Sequence, residues 1–469
     1  MLENPLALSV EKPDLSAKIP IARSQTVFIC SLCAVLLLLA VWNAWGTAKI
    51  FILLSTLFYL FFNIYKLIIV RRSVSTDAEI RISDKELVEI KDADLPVYSI
   101  LVPMYHESES IGKLVESLEK LDYPSDKKDV QLLLEEDDKE TRAAAEKLSL
   151  PQNFRITVAP NSMPKTKPKA CNIGLAKAKG KYLVIYDAED RPEADQLKKA
   201  VLAFGKVDPK VVCLQSRLNF YNPRQNILTK WFTAEYSAWF DLSLPGLSAM
   251  NAVIPLGGTS NHFITEKLKE MFGWDAYNVT EDCDLGIRIY RLGYKSRMLH
   301  TTTWEEACSS LKFWIRQRTR WLKGYIQTYL VHMRHPLRLL KDLGLANFSH
   351  FQLLIGGIIF CFLINPLYWL LALWWFVMRV ELLTDLFPPL VFAIGALCLF
   401  VGNFVFVYLC ALGCYIRGCF DLVKFSLLTP IYWMMMSYSG WRAFFQFFSN
   451  PFHWEKTKHG LFKPGGNNG

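Results

Sequence analysis

Charged residues are scarce in this chain of 469 residues, at 21% of the total, and neither sign dominates. The net charge of +9 is modest, and much of it lies near the ends of the long apolar runs described below. Nucleic acid is therefore not the expected partner. An apolar share of 52% excludes a disordered protein. The 11 cysteines lack the paired spacing of a disulfide framework or a zinc site, since their one CxxC lies inside an apolar run.

Long apolar runs account for much of this composition. Residues 25–45 hold no charge, and at about 1.5 Å per residue such a helix spans a hydrocarbon core of about 30 Å. A second run, 50–70, follows at once, which argues against a cleaved signal peptide and predicts a transmembrane pair. Lys66 is the charge inside that second run, and we expect its ammonium to extend towards the membrane interface.

Two further apolar runs, 350–376 and 389–414, each match the thickness of one bilayer. Basic residues concentrate beside the spans on the side of the long polar region, while the loop 377–388 carries one Arg and two acids. By the positive-inside rule, the polar region is predicted to be cytoplasmic, in a multi-pass protein of the cell inner membrane. The flanking basic residues are Lys12, Lys18, Arg23, Arg71, Arg72, Arg417 and Lys424.

The polar region alternates short β-rich runs with helical patterns. This alternation predicts an α/β domain with a mostly parallel sheet and flanking helices, inserted between transmembrane helices. The predicted strands are 97–103, 130–135, 181–187 and 211–216, and the predicted helices include 111–121, 139–149 and 193–205.

A last apolar stretch, residues 425–449, is interrupted by Pro430 and followed by a basic tail. A fifth span would place that positive charge outside, so a kinked, re-entrant or interfacial element is favoured. The chain is then divided into a cytoplasmic N-terminal segment (1–24), a transmembrane pair (25–70), a cytoplasmic domain (71–345), a second transmembrane pair (346–414), and a kinked element with a cytoplasmic tail (415–469).

Acidic clusters follow two of the predicted strands, and a third lies further along the chain. Ligands of parallel sheets bind at the carboxyl ends of strands, so acids that close a strand carry more weight than acids elsewhere. A solvated loop is the alternative for any one cluster, but three together favour a site. The clusters are Glu135 to Asp138; Asp187, Glu189 and Asp190; and Glu281, Asp282 and Asp284.

Asp187 and Glu189 can both present oxygen to a hard cation such as Mg²⁺ or Mn²⁺. Such a cation would neutralise a diphosphate and make it a better leaving group. An acid of the third cluster could then take a proton from an attacking hydroxyl. Basic residues at 165, 167 and 169 could meet phosphate, or form a solvated loop.

Residues 311–330 place aromatic and aliphatic side chains at helical spacing with Arg and Lys between them, which predicts an interfacial amphipathic helix. Gln317, Arg320 and Trp321 form a QxxRW motif within it. The indole of Trp321 can pack on the apolar face of a sugar ring while Arg320 donates to phosphate. The alternative is a Trp that anchors the helix in the interface.

The order of these motifs resembles the processive membrane-integrated family 2 glycosyltransferases, the group that contains cellulose, hyaluronan and chitin synthases. The resemblance covers roughly residues 95–330 and implies a GT-A-like fold and a UDP-sugar donor. It also implies inverting transfer of a hexose to a growing β-linked polysaccharide, with secretion across the membrane. The matching motifs are Asp137-Asp138 with Thr141, the DxD-like run 187–190, Thr280-Glu281-Asp282, and QxxRW.

The resemblance further implies a role for each motif. Asp137, with Asp138 beside it, contacts the uracil, and Lys167 and Asn172 lie beside the nucleotide. Asp187 and Glu189 bind the Mg²⁺ or Mn²⁺ ion and the diphosphate. The remaining motif residues carry catalysis and acceptor binding: Asp282 as the general base with Glu281 next to it, and Gln317, Arg320 and Trp321 on the diphosphate and the acceptor sugar.

Two departures from the family pattern leave alternatives open. The usual DxD is here Asp187-Ala188-Glu189 with Asp190 adjacent, so either Glu189 or Asp190 could join Asp187 on the metal. The first cluster is a run of acids, so a neighbour could replace Asp137. The stretch 452–460 is placed like a mobile gating loop, where Lys456, Thr457 and His459 could reach phosphate or belong to a solvated tail.

Two other functions compete with polysaccharide synthesis. One is transfer of a single sugar to a lipid carrier, for which the acceptor is lipid-linked rather than a polymer. The other is a non-catalytic membrane component that senses a nucleotide for a polysaccharide export complex. The lipid bilayer is a partner in every case, and accessory export proteins are candidate partners of a secreting enzyme.

Overall fold

The computed structural model describes residues 4–75, 78–378 and 386–453. An eight-stranded sheet lies at the centre of the polar region, in the order β3-β2-β1-β4-β7-β6-β8-β5. The strands are β1 Tyr98–Met104, β2 Lys128–Glu135, β3 Phe154–Ala159, β4 Tyr182–Ile185, β5 Arg191–Pro192, β6 Val211–Phe220, β7 Asn261–Ile264 and β8 Lys295–Glu305.

The sheet is mixed but mostly parallel, as predicted, because six of its eight strands run in the same direction. Strand β1 runs parallel to β2 and β4, β2 to β3, and β6 to β8. Strand β7 is antiparallel to both of its neighbours, β4 and β6, and β5 is antiparallel to β8. Because β7 has four residues and begins with two polar ones, its sequence lacks the long apolar run that predicted the other central strands.

Helices cover both faces of the sheet and continue into the apolar parts of the chain. Among the described residues the helices are α1 Ala7–Glu11, α2 Arg23–Trp42, α3 Ala44–Ser73, α4 Asp84–Glu89, α5 Ile111–Glu119, α6 Lys139–Lys147, α7 Lys167–Lys177, α8 Gln196–Lys206, α9 Ile227–Ala238, α10 Leu244–Ala249, α11 Thr265–Glu270, α12 Glu281–Arg291, α13 Leu311–His332, α14 Pro336–Phe351, α15 Gly357–Met378, α16 Pro389–Ile416 and α17 Thr429–Ser449. Two π-helical turns, Trp239–Ser243 and Gln352–Gly356, join α9 to α10 and α14 to α15.

Four helices of the described chain are long and apolar enough to cross a membrane. They contain most of each of the four apolar runs, and none of the apolar window of the first is buried in the protein. A helix without protein cover satisfies its own backbone hydrogen bonds, so it tolerates lipid around it. The four are Arg23–Trp42, Ala44–Ser73, Pro336–Trp374 and Pro389–Ile416.

The last apolar stretch forms a 3₁₀ segment, Phe420–Leu428, followed by α17. Pro430 lies in the first turn of α17, where its missing N–H disturbs no helical hydrogen bond, so it does not kink the helix. Helix α17 packs against α13 and α15. How it lies relative to the bilayer stays a prediction.

The predicted amphipathic helix is α13, and much of it is buried in protein. Trp314, Lys323 and Gln327 on this helix are fully buried. Its neighbours include α12 and α17. Helix α13 therefore lies between the sheet domain and the apolar helices.

A buried ion network joins α16 to the sheet. Arg417, just after α16, lies with its Nη2 2.6 Å from Asp241 Oδ1 and its Nε 2.9 Å from Oδ2. Arg217 on β6 approaches the same Oδ1 at 3.3 Å and also pairs with Glu79. The Asp241 side chain has no exposed surface, so two guanidinium groups compensate one buried carboxylate.

Candidate active site

A cavity of about 870 Å³ lies beyond the carboxyl ends of β1 and β4 and extends between α3, α15, α16 and α17. In a sheet of this kind the carboxyl ends of the strands are where ligands bind. The predicted site residues that line it are Lys167, Asp187, Glu189, Glu281, Asp282, Gln317, Arg320 and Trp321.

Lys167 sits at the start of α7 and connects two sides of the cavity. Its ammonium donates to Asp187 Oδ1, just beyond β4, and to the Gly258 carbonyl oxygen at 2.8 Å. Burial alone would lower the Lys167 pKa, but the carboxylates of Asp187 and Glu281 raise it above its ordinary value. Lys167 is therefore a fixed cation beside the acids.

Asp190 and Glu189 are the two acids that could bind a metal together with Asp187, and their surroundings differ. Asp190 is buried, and its Oδ2 accepts from the Asp187 backbone N–H at 2.8 Å and from the Thr259 hydroxyl. Burial and the nearby charges of Asp187 and Glu189 raise the Asp190 pKa well above its ordinary value. Glu189 instead lines the cavity, so of the two it is the one exposed to a ligand there.

Glu281 and Asp282 begin α12, where the positive end of the helix dipole favours negative charge. The Cys283 N–H donates to Asp282 Oδ1 at 2.7 Å. A Cβ built on Gly258 would lie 3.2 Å from Asp282 Oδ2 and 3.9 Å from Lys167 Nζ, so both groups face the same point. Burial raises the pKa of Asp282, while its backbone hydrogen bond to Cys283 and the charges of Lys167 and Arg320 oppose that rise.

Helix α13 presents the QxxRW residues to the cavity. Gln317 is buried, and its Oε1 accepts no hydrogen bond from the described residues. The Trp321 ring stacks against Tyr236 with ring centroids 6.3 Å apart, and the guanidinium carbon of Arg318 lies 4.6 Å from the Trp321 ring. An unpartnered amide oxygen and a fixed indole are the kinds of group that bind sugar hydroxyls and a sugar face.

Arg318, Glu235 and Tyr432 hold Trp321 in place, and the sequence did not predict them. Arg318 Nη1 donates to Glu235 Oε1 at 2.9 Å, and Nη2 donates to the Tyr432 hydroxyl at 2.9 Å. Tyr432 in turn donates to Glu235 at 2.6 Å. Because Tyr432 belongs to α17, this apolar helix helps to orient the cavity wall.

Asp137 lies at the rim, outside the cavity lining. Its carboxylate is 2.5 Å from Lys165 Nζ and 3.5 Å from the Tyr105 hydroxyl, and both of these partners line the cavity. The hydrogen bond from Lys165 lowers the Asp137 pKa. Asp137 is thus placed to reach a ligand only at the open edge.

The structure does not bring Asp138 or Asn172 to the cavity. Both Asp138 oxygens are used, accepting from the Thr141 N–H at 3.1 Å and the His106 N–H at 2.5 Å, so the carboxylate caps α6. Asn172 donates to the Pro5 and Trp274 carbonyls and accepts from the Trp274 N–H. Both side chains therefore have structural hydrogen-bond partners, and their predicted substrate contacts stay predictions.

Glu305, at the end of β8, is a cavity residue that the sequence analysis missed. Burial and the charges of Asp190, Asp187 and Glu189 raise its pKa well above its ordinary value. The signal was present, because Glu305 closes a strand as the other acids do, but β8 carries a polar TTT run and was not predicted.

The acids near β4 offer a divalent cation a carboxylate oxygen that has no other partner in the described part of the chain. Asp190 Oδ1 is buried without a hydrogen-bond donor among the described residues, and carboxylates crowd around it. No group of three or more His, Cys, Asp or Glu side chains in the described chain is arranged to hold a metal by itself. Mg²⁺ commonly binds one or two carboxylates together with substrate phosphates, so Asp187 and Glu189 suit that mode.

The C-terminal segment reaches the cavity up to His453. Lys323 Nζ donates to the His453 carbonyl at 2.8 Å, and Gln327 Nε2 donates to the Pro451 carbonyl at 3.0 Å. Lys456, Thr457 and His459 lie outside the described residues.

Residues 96–324 match the family described as "Glycosyltransferase like family 2". "Probable glycosyltransferase YdaM" of Bacillus subtilis (strain 168) is 26% identical over 273 residues, covering 56% of this chain and 65% of that protein. "Beta-monoglucosyldiacylglycerol synthase" of Synechocystis sp. (strain ATCC 27184 / PCC 6803 / Kazusa) is 27% identical over 270 residues, or 55% of each chain. This chain therefore matches only 65% and 55% of the length of these relatives.

The comparison with solved structures found a similar chain at low sequence identity. It is "Mannosyltransferase PcManGT from Pyrobaculum calidifontis in complex with GDP-Man and Mn2+", with 15% sequence identity and a TM-score of 0.49. The alignment covers 85% of this chain and 98% of that one.

Proposed function

We propose that this chain, whose residues 96–324 match the family described as "Glycosyltransferase like family 2", transfers a hexose from a UDP-sugar to an acceptor hydroxyl with inversion at the anomeric carbon. The observation that carries the proposal is the position of Lys167 between two acidic groups. Its ammonium binds Asp187, and it faces the same point as Asp282 Oδ2. A diphosphate beside Asp187 and a hydroxyl beside Asp282 would thus be neighbours.

The proposed chemistry is a direct displacement. Asp282 accepts the proton of the acceptor hydroxyl, and the oxygen attacks the anomeric carbon. The bond from that carbon to the diphosphate breaks, and UDP leaves with the electron pair. A single base opposite the leaving group suffices, so no covalent intermediate is needed.

Charges in the cavity stabilise the leaving group. Lys167 and Arg320 are cations near the acidic groups. The charges of both lower the Asp282 pKa, against the rise that burial causes. A divalent cation, Mg²⁺ or Mn²⁺, held by Asp187 and Glu189 would add further neutralisation of the diphosphate. Asp137 and Tyr105 at the rim would meet the uracil.

The acceptor would enter from the side of the apolar helices. Trp321 and Gln317 offer a stacking face and an unpartnered oxygen to a sugar or a polar headgroup. The cavity continues from them towards α3 and α16, which supports catalysis at a membrane. Two outcomes are candidates. One is processive polysaccharide synthesis with secretion, aided by accessory export proteins. The other is transfer of a single sugar to a lipid, which is also the activity that the name of the Synechocystis relative states.

The test is UDP release by the purified full chain in lipid nanodiscs, with a panel of UDP-hexoses and Mg²⁺ or Mn²⁺. We expect release with at least one donor, and loss of transfer in Asp282→Asn while UDP still binds. Product extraction into chloroform or retention as polymer on a gel separates lipid from polysaccharide acceptors. Absence of release with every donor would favour the non-catalytic alternative.

A further inference from the structure

The part of the cavity between the apolar helices, which we call the membrane arm, differs sharply from the part beside the sheet. Its wall is apolar and aromatic, with Phe62 on α3, Phe362 on α15, Phe406 on α16 and Trp433 on α17. Tyr65 also lines it, but the Tyr65 hydroxyl is already hydrogen-bonded to His350 Nδ1 at 2.8 Å. The arm thus offers few hydrogen-bonding groups to a ligand.

Lys66 places a charge in this apolar arm. Its ammonium lies 4.4 Å from the centroid of the Phe62 ring, 5.5 Å from that of Trp433 and 5.7 Å from that of Phe406. Within the described chain, no carboxylate lies within ion-pair distance of it. The ammonium therefore faces the cavity, rather than extending to the membrane interface as the sequence predicted.

A second donor beside Lys66 also lacks an acceptor. The Trp433 indole Nε1 is buried and donates to no group among the described residues. A buried polar group without a partner is costly, so the Trp433 N–H, with the Lys66 ammonium as a second donor in the same arm, indicates that a ligand supplies an acceptor. Lys and the Trp indole can donate but cannot accept, so the missing group is an acceptor.

The chemistry of these donors separates the candidate acceptors. Each sugar hydroxyl of a glycan chain donates as well as accepts, whereas the Lys66 ammonium and the Trp433 N–H only donate. A phosphodiester has only acceptor oxygens and a negative charge, which match an ammonium and an indole N–H. The apolar wall around them matches acyl chains.

Resting on the proposed transferase activity, we propose that the sugar acceptor is an anionic, hydroxyl-bearing lipid whose phosphate binds Lys66 and Trp433. Its hydroxyl would reach Asp282, and its acyl chains would lie along the membrane arm. The phosphate takes no part in bond formation, so Lys66 and Trp433 are binding residues.

The experiment compares two lipid acceptors in phosphatidylcholine nanodiscs that hold the full chain. Phosphatidylglycerol is the anionic probe and dioleoylglycerol the neutral one, and transfer of labelled hexose into the chloroform phase is measured. We expect transfer to phosphatidylglycerol, and in Lys66→Met a KM for that lipid raised by about tenfold, equivalent to about 1.4 kcal/mol. Lys66→Arg should restore the KM, and Trp433→Phe should raise it less.

The matched control is Lys49→Met, because Lys49 lies on the same helix but is exposed and does not line the cavity. Lipid binding is measured separately, by native mass spectrometry of the full chain with phosphatidylglycerol or phosphatidylcholine. Loss of the retained phosphatidylglycerol in Lys66→Met but not in Lys49→Met supports the site even if no UDP-sugar is used, so the two proposals fail separately. Equal phosphatidylglycerol retention and KM in Lys66→Met, transfer to dioleoylglycerol alone, or a polymeric product would overturn it.

Discussion

Replacing Lys167 with Met should move the pH dependence of transfer. The Lys167 ammonium and Asp282 Oδ2 lie within 4 Å of one point at Gly258, so they are at most about 7 Å apart. At an effective dielectric constant of about 20, two unit charges at that distance interact by about 2 kcal/mol. Lys167 holds the Asp282 pKa down by that attraction, so its loss should raise the Asp282 pKa.

The sign of the effect follows from the role of Asp282. A general base works only when ionised, so activity is lost as pH falls through its pKa, and a higher pKa moves that loss to higher pH. In Lys167→Met the acid limb of kcat/KM should therefore shift upwards by at least about one pH unit. The assay is UDP release across pH 4 to 9, with the thermal unfolding midpoint measured to show that the variant is folded.

Lys165→Met is the matched control, since Lys165 pairs with Asp137 at the rim. It should raise the KM for the UDP-sugar but leave the acid limb where it is. An unshifted acid limb in folded Lys167→Met, or equal shifts in both variants, would refute the proposed arrangement of base and cation.

Four further predictions concern other parts of the site. Asp282→Asn should reduce kcat at least about a hundredfold while UDP binding by calorimetry persists; an active variant would remove the proposed base. Excess EDTA should stop turnover, and Asp187→Asn should weaken Mn²⁺ binding measured by electron paramagnetic resonance; full activity in EDTA would count against a metal there. Gly258→Ala should lower kcat about tenfold because its Cβ would lie 3.2 Å from Asp282 Oδ2, whereas Gly112→Ala, with open space around it, should not. Asp138→Ala should lower the free energy of unfolding by about 1 kcal/mol through the lost cap of α6, with the donor KM unchanged; a raised donor KM would return Asp138 to the site.

Local sequence was sufficient to predict β1, β2, β4 and β6, but it did not predict β3, β5, β7 or β8. Strands β1, β2 and β4 carry continuous apolar runs because both of their faces are buried, and such runs are visible without a structure. Strand β8 is equally buried over much of its length, yet its Thr-rich composition resembles a loop. Glu305 was missed for that reason.

Residue type alone could not separate site residues from structural ones. Asp138 and Asn172 belong to motifs that resemble nucleotide contacts, but short polar side chains also cap helices and bind backbone groups. Which role a side chain takes depends on partners such as Pro5 and Trp274, which are distant in sequence. The approach of Asp282 to Lys167 likewise depends on the backbone at Gly258, between β6 and β7.

The direction of the Lys66 side chain could not be predicted from the sequence either. Its place along α3 is readable from the sequence, but the direction in which its side chain points depends on how α3, α16 and α17 pack. The rings of Phe406 and Trp433, from two other helices, surround the ammonium.

The carboxylate of Asp241 connects α16 to the sheet. Because this carboxylate is shared by Arg417 beyond α16 and Arg217 on β6, a tilt of α16 relative to the sheet would separate a buried ion pair, at a cost of about 3 to 5 kcal/mol. Under the proposed membrane insertion, a change in bilayer thickness would therefore tilt α16 and the sheet together. The part of the cavity that lies between them would then keep its shape.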